Sequence, residues 1–243
     1  LDDEQRALGS LARDVDNAEA SVLLHEQTVK RLQDIQTIIK NTYEGLQEHA
    51  EFPLIPEQFA SMIETLQANF PKEYRLYRIE AFAVRVVIEL MNRKLSGWHP
   101  LAHPSYGANY FVLWKHLFEP EEDDMEENVF RIQNQTIRVD AYGYVCHAVL
   151  LPKLKDVLLT WNVQQPESMT AFIQAWGPVL PKALAVFIIE KVVVAKLQHA
   201  IAAWDPRIDR VPVHTWLHPW LPVLPGKLLN PLFATMLKTL RQC

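Results

Sequence analysis

His214 and His218 stand four residues apart within "AWDPRIDRVPVHTWLHPWLPVLP" (203–225), the helical spacing that can turn two imidazoles toward one metal ion. A zinc hydrolase built on such a pair also needs a glutamate directly after the first histidine and a third ligand, and here Thr215 fills that position. His99 and His103 repeat the spacing, but Pro100 between them interrupts a continuous helical face. Both pairs read as turn histidines bonded to backbone carbonyls, and neither a metal nor another cofactor is expected.

Other chemistries have less to stand on. There is no G-x-S-x-G elbow, and the six serines lie in helix starts or turns. No two of the seven glycines are close enough to shape a phosphate cradle, so a Walker loop and a dinucleotide fingerprint are both missing. Carboxylates cluster only in "EPEEDDMEEN" (119–128), where solvent would leave their pKa values untuned for acid–base work. The chain is therefore expected not to be an enzyme. The two cysteines are too few for a disulfide framework, and Cys146, inside an apolar helical run, reads as a buried free thiol.

Binding remains. The net charge of −5 disfavours a chain whose main task is neutralising phosphates. The C-terminal stretch nevertheless combines Arg207, Arg210, Lys227, Lys238 and Arg241 with Trp216 and Trp220, the mixture of cations and aromatic faces that single-stranded RNA binders use. Periodicity places Trp220 in the core, which weakens this reading. No apolar run approaches the ~18 uncharged residues needed to span a bilayer, since "ALAVFIIEKVVVAKL" is interrupted by Glu190 and Lys191. No membrane contact is expected.

The elements that carry these residues are helical. The first 48 residues contain no proline. A heptad frame runs through Leu8, Leu11, Val15, Ala18, Val22, His25, Val29, Leu32, Gln36, Ile39, Tyr43 and Leu46. Spacings alternating between three and four keep one seam toward a partner, as in a coiled coil. Val15, Val22, Val29 and Leu32 are its candidate contact residues, whether the seam is filled by this chain or by another. "EFPLIPEQF" (51–59) then stops the helix, because its two prolines remove donors and restrict the residues before them. Two domains follow from this: a coiled-coil-like helix over 1–50 and a helical-repeat domain over 51–243.

Tryptophans reveal the repeat. Trp98 and Trp114 are 16 apart, Trp161 and Trp176 are 15 apart, and Trp204 and Trp220 are 16 apart. "PKLKDVLLTWNV" (152–163) parallels "AKLQHAIAAWDP" (195–206), and "WGPVLP" (176–181) parallels "WLPVLP" (220–225). Trp161 and Trp204 are 43 apart, a period that suits helical-hairpin solenoids. Each unit reads as a long helix ending at its first Trp (75–98, 138–161, 181–204), a turn, and a short helix bearing the second. In the first long helix, Leu76, Ile79, Phe82, Ala83, Val86, Val87 and Leu90 share a face. The larger distance from Trp98 to Trp161 is accounted for by an acidic loop over 119–138, which has too little apolar surface to order itself. Fold class follows as all-α: a long N-terminal coiled-coil-like helix, then stacked hairpins forming an irregular HEAT-like α-solenoid. The helical opening and the abrupt "KTLRQC" end read as a piece of something longer.

"WDPRIDRVPVHTWLHPWLPVLPGKL" (204–228) resembles the signature of the septin-and-tuftelin-interacting protein family, in the helical domain named after GC-rich-sequence DNA-binding factor. The order Trp-x-Pro, Asp209, then Val-Pro-x-His-x-Trp-x-His-Pro-Trp-Leu-Pro carries the match. "LPKLKDVLLTWN" and "PESMTAFIQAWGPVLP" are similar to the segment just before it. Over 1–138 the similarity is only that of a helical, charged part preceding the domain. The resemblance implies a nuclear pre-mRNA splicing factor that acts when the intron-lariat spliceosome is taken apart. In that family a G-patch recruits a DEAH-box RNA helicase, and no G-patch occurs in this chain. What it would supply is a scaffold that docks the helicase activator onto spliceosomal proteins, including a second disassembly factor of related domain type. No catalytic residue carries over from the family. Trp204, Asp205, Pro206, His214, Trp216, His218, Pro219 and Trp220 are the candidate corner, structural or partner-binding.

Overall fold

In the computed structural model, residues 2–47, 56–118, 130–132 and 135–242 are described, with side chains described over 9–41, 56–118 and 140–241. Helix α1 runs from Asp2 to Gln47. Its stripe Val15, Val22 and Val29 is 50%, 57% and 52% exposed, and Leu11, Leu23 and Leu24 are exposed as well. Only its C-terminal part is covered: Ile35 is buried and Leu32 half-buried where α1 meets α2 (Pro56–Asn69). The covered residues follow a helical period through Arg31, Ile35, Ile38 and Ile39 rather than the heptad frame, which places Gln36 where Ile35 does the packing. The frame's outer members Leu8, Tyr43 and Leu46 fall outside the described side chains.

The α2 stripe of Phe59, Ala60, Met62, Ile63 and Leu66 is buried at spacings of one, two and three. Pro71 then starts α3 (Pro71–Leu76), its missing N–H harmless in a first turn. Arg31 locks this corner. Its guanidinium donates to both carboxylate oxygens of Glu73 and lies 5.3 Å above the Phe70 ring. Glu73 is held below the ordinary carboxylate range chiefly by that bond, and Arg31 is raised by the same contact.

Arg78 takes a left-handed conformation, φ 51°, and ends this helical stretch. The long helix expected over 75–98 is therefore broken, and α4 spans Ile79–Lys94. Leu76 and Phe82, expected on its buried face, are exposed; the buried stripe is Ile79, Ala83, Val84, Val87, Leu90, Met91 and Leu95. The chain divides near this break into compact units 1–79 and 80–243. The compact first unit thus takes in α2 and α3, which pack with α1, beyond the 50/51 position read from the sequence.

Within 80–243 the hairpins are α4 with α5 (Ala108–Leu117), α6 (Ala141–Thr160) with α7 (Glu167–Trp176), and a third. The third begins with α8 (Lys182–Val186), widens into π-type turns over Phe187–Val194, and continues as α9 (Ala195–Ala203). Its short arm is α10 (Val213–Leu217) with a tight turn over His218–Trp220, and α11 (Gly226–Gln242) then packs on α9. Asp140 caps α6, accepting a hydrogen bond from the Gly143 N–H at 2.6 Å. The insert expected as a loop over 119–138 ends otherwise: β1 (Phe130–Ile132) pairs antiparallel with β2 (Gln135–Val139), Phe130 opposite Val139. The alternation in "QTIRV" suits a strand. Its acidic part, 119–129, lies outside the described residues.

The architecture is all-α in its bulk, with hairpins stacked as the repeat predicts. No described helix is long and apolar enough to cross a membrane.

Candidate functional site

The corner 203–225 is built by turn chemistry. Asp205 organises it: its Oδ1 accepts from the Arg207 N–H at 2.9 Å, and its carbonyl accepts from Ile208 and Asp209 at 3.1 and 2.9 Å. Asp209 closes the loop by accepting the Asp205 N–H at 2.8 Å. Both acids thus satisfy backbone donors that the end of α9 and the turn leave open. Pro206 and Pro219 are half-buried, and Pro219 sits where a first-turn proline is tolerated. His214 and His218 are both exposed, their rings 5.7 Å apart. Among the described residues no group of three His, Cys, Asp or Glu comes together.

Three of the corner's aromatic residues take different places. Trp216 and Trp220 are buried, out of reach of a nucleic-acid base, so the RNA surface read from the sequence keeps its cations but loses its stacking rings. Trp204 is only half-buried, and its Nε1, covered from solvent, has no hydrogen-bond partner among the described residues.

The tryptophans that pair hairpins explain the repeat. Trp98 and Trp161 close their long helices and turn their indole N–H groups into the following turn, donating to the carbonyls of His103 at 2.9 Å and Gln165 at 3.0 Å. Each ring then meets the second tryptophan of the next hairpin: Trp98 with Trp176 at 5.3 Å, Trp161 with Trp220 at 5.6 Å. Trp176 is the hub, with Phe111 at 5.2 Å, Phe172 at 5.9 Å, and its own N–H donated to the Pro104 carbonyl at 2.7 Å. Gly107, at φ 85°, permits this approach: a Cβ there would stand 2.8 Å from a Leu95 methyl.

Between the end of α6 and the third long helix lies a groove of about 840 Å3. Leu159, Trp161, Val163, Lys196, Trp204 and Trp216 line it. Lys196 donates to the carbonyls of Leu159 at 2.6 Å and Trp161 at 3.2 Å, capping α6 as a cation at a helix C-terminus should. Desolvation lowers its pKa. Sequence reading missed Lys196, because the parallel text "AKLQHAIAAW" marks a repeat position, not a cap.

The second surface is the stripe on α1. Val15, Val22 and Val29 are exposed among the described residues, whereas the half-buried Leu32 lies where α1 meets α2. Cys146 is fully buried, its thiol pushed up to about 12 by that burial, which leaves it inert. Tyr142 nearby is raised by the same cause and donates its hydroxyl to the Val179 carbonyl at 2.7 Å.

The family described as GC-rich sequence DNA-binding factor-like protein matches residues 56–243. The chain is similar to tuftelin-interacting protein 11 of Mus musculus, 30% identical over 232 residues, 95% of this chain and 27% of that protein. The Rattus norvegicus protein of that name is 29% identical over the same lengths. That of Gallus gallus is 28% identical over 216 residues, 88% of this chain and 25% of that protein. The chain thus spans about a quarter of the length of these relatives.

Proposed function

The chain belongs to the GC-rich sequence DNA-binding factor-like family, and from that premise we propose that it is a non-catalytic protein–protein scaffold of nuclear pre-mRNA splicing. Its place is the disassembly of the intron-lariat spliceosome, as the docking portion of a helicase-activating factor. A G-patch outside this chain would engage the DEAH-box RNA helicase, while this portion holds spliceosomal proteins, including a second disassembly factor of related domain type.

One observation carries the scaffold reading: α1 presents Leu11, Val15, Val22 and Val29 at heptad spacing, all exposed, over a stretch that no described residue covers. An apolar seam of that length is unfavourable in water and becomes favourable against a second helix. The similarity to tuftelin-interacting protein 11 supports the setting. RNA contact is the rival reading, through the exposed Arg207 and Arg210, and the burial of Trp216 and Trp220 weighs against it.

The test is affinity capture from nuclear extract with the intact chain and with Val22→Lys/Val29→Lys, followed by RNase. Splicing proteins should survive RNase on the intact chain and vanish with the variant, whose circular dichroism should remain helical because both sites are exposed. If nothing survives RNase and Arg207→Ala/Arg210→Ala removes the signal with a smaller salt slope, the contacts run through RNA and the scaffold reading is refuted.

A further inference from the structure

The stripe on α1 has flanks as well as a core. Every side chain from Leu11 to Val29 is exposed, so an occupant can reach the seam along about 27 Å of helix. The a positions of the heptad frame are Val15, Val22 and Val29, and the d positions are Leu11, Ala18 and His25. His25 Nδ1 lies 2.6 Å from the Ser21 carbonyl and therefore donates to it, so this polar d residue has its ring proton satisfied within α1. A hollow of about 470 Å3 opens along the seam, lined by Val22, His25, Glu26 and Val29 together with Lys30 and Gln33.

The flanking e and g rows decide which second strand fits. Between Leu11 and Val29 they hold Asp14, Glu19 and Glu26, and the remaining places are the neutral Ala12, Ser21 and Thr28. The bases of this stretch lie outside both rows. Arg13 stands at f, on the far side of the helix, with its Nε donating to the Gly9 carbonyl at 3.0 Å, and Lys30 stands at b.

A second copy of this chain meets that pattern badly. A parallel pair brings each g residue to the following e residue of the other helix, so Asp14 faces Glu19 twice by symmetry. An antiparallel pair sets e against e, which gathers Glu19 and Glu26 with their own counterparts. Like charges repel in both arrangements, and Ala18 opposite Ala18 in a parallel pair leaves its core layer underfilled. The stretches 48–55 and 119–129, outside the described residues, contain acids and no lysine or arginine, so they suit the same rows no better.

Resting on the reading of α1 as a docking element, we infer that the seam takes one helix of another protein whose flanking heptad positions carry lysine or arginine. A large apolar residue of that helix fills the space over Ala18. Its basic groups bridge the seam to Asp14, Glu19 and Glu26. Such exposed pairs select the partner and speed encounter more than they add affinity, which comes from the apolar core.

The probes are two fluorescein-labelled synthetic helices of about four heptads, alike in isoleucine at a and leucine at d. One carries lysine at every e and g position and the other glutamate, so neither pairs well with itself. Each is titrated with the full 243-residue chain at low salt and followed by anisotropy. The lysine probe should bind at least about tenfold tighter than the glutamate probe, a gap that narrows as salt rises. Glu19→Lys/Glu26→Lys, at exposed sites, should reverse the order of the two probes. Val22→Ser/Val29→Ser should abolish binding of the lysine probe. Equal binding of both probes overturns the charge rule and leaves α1 a docking element. Lysine-probe binding that survives Val22→Ser/Val29→Ser overturns it as well, because the contact is then charge alone. If neither probe binds while capture from nuclear extract still depends on Val22 and Val29, the helical partner is refuted and the scaffold reading stands; if capture is indifferent too, both fall. Dimerisation in sedimentation equilibrium that Val22→Ser/Val29→Ser abolishes makes the occupant a second copy and equally overturns the proposal.

Discussion

Replacing Trp176 tests whether the hairpins are held together by their tryptophans or merely decorated with them. The residue is fully buried, touches Trp98, Phe111 and Phe172, and donates its indole N–H to Pro104, 72 residues earlier. Truncation to alanine loses the ring's transfer energy and leaves a cavity between two hairpins, at a cost of about 3–5 kcal/mol. Trp176→Phe keeps most ring contacts but loses the hydrogen bond; because Pro104 is half-buried and water can reach its carbonyl, about 1–2 kcal/mol is expected. Against a typical stability of about 5–15 kcal/mol, the alanine variant loses a large share and its melting temperature should fall by roughly 10 °C. The assay is urea unfolding followed by tryptophan fluorescence. All seven tryptophans lie within 80–243, so the signal reports that unit alone. Removing Trp98 and Trp176 singly and together should give a coupling of about 0.5–1.5 kcal/mol. A cost below about 1 kcal/mol for Trp176→Ala, or no coupling, would refute the pairing rule itself.

Two further outcomes follow from particular residues. Gly107→Ala forces a side chain onto φ 85° and a Cβ to 2.8 Å from Leu95, so a loss of about 1–3 kcal/mol is expected in the same fluorescence assay. Glu73 is lowered below the ordinary glutamate value of 4.5, so the stability it contributes is present above that value and is lost as pH falls through the lowered one. Thermal unfolding of unit 1–79, followed by far-UV dichroism between about pH 6 and 3, should show an acid-side loss that Glu73→Gln flattens. An unchanged acid limb in that variant would remove the Arg31 pair as its cause.

How much of this was legible in the sequence depended on rarity and on handedness. Tryptophan is scarce and its ring favours burial, so three pairs at nearly equal spacing exposed the hairpin plan. The break at Arg78 could not be read, because arginine is a good helix former and the apolar spacing continues through it from Leu76 to Leu90. The same continuity assigned Leu76 and Phe82 to the wrong side. On α1 a heptad frame and a 3.6-residue period diverge by about 20° per heptad. By residue 35 the two choose different neighbours, Gln36 in the frame and Ile35 in the structure. The β1–β2 pairing sat beside so strong an acidic run that the short alternation of "QTIRV" was overlooked.

Trp204 shows where sequence similarity stops carrying structure. "LKDVLLTWN" and "LQHAIAAWD" are close relatives, and nothing in either text separates the two tryptophans. Their difference comes from what stands next to them. In a stacked array each hairpin's stability is a sum of its own terms and those of its immediate neighbours, so identical residues become unlike wherever their neighbours differ. Both line the groove, but Trp161 has Trp220 against it and Trp204 has no ring paired with it among the described residues. The exposed stripe on α1 is a parallel case, since a heptad seam suits two helices and no described residue covers it along Leu11 to Val29. In both places the sequence is locally consistent, and the described residues leave apolar surface uncovered.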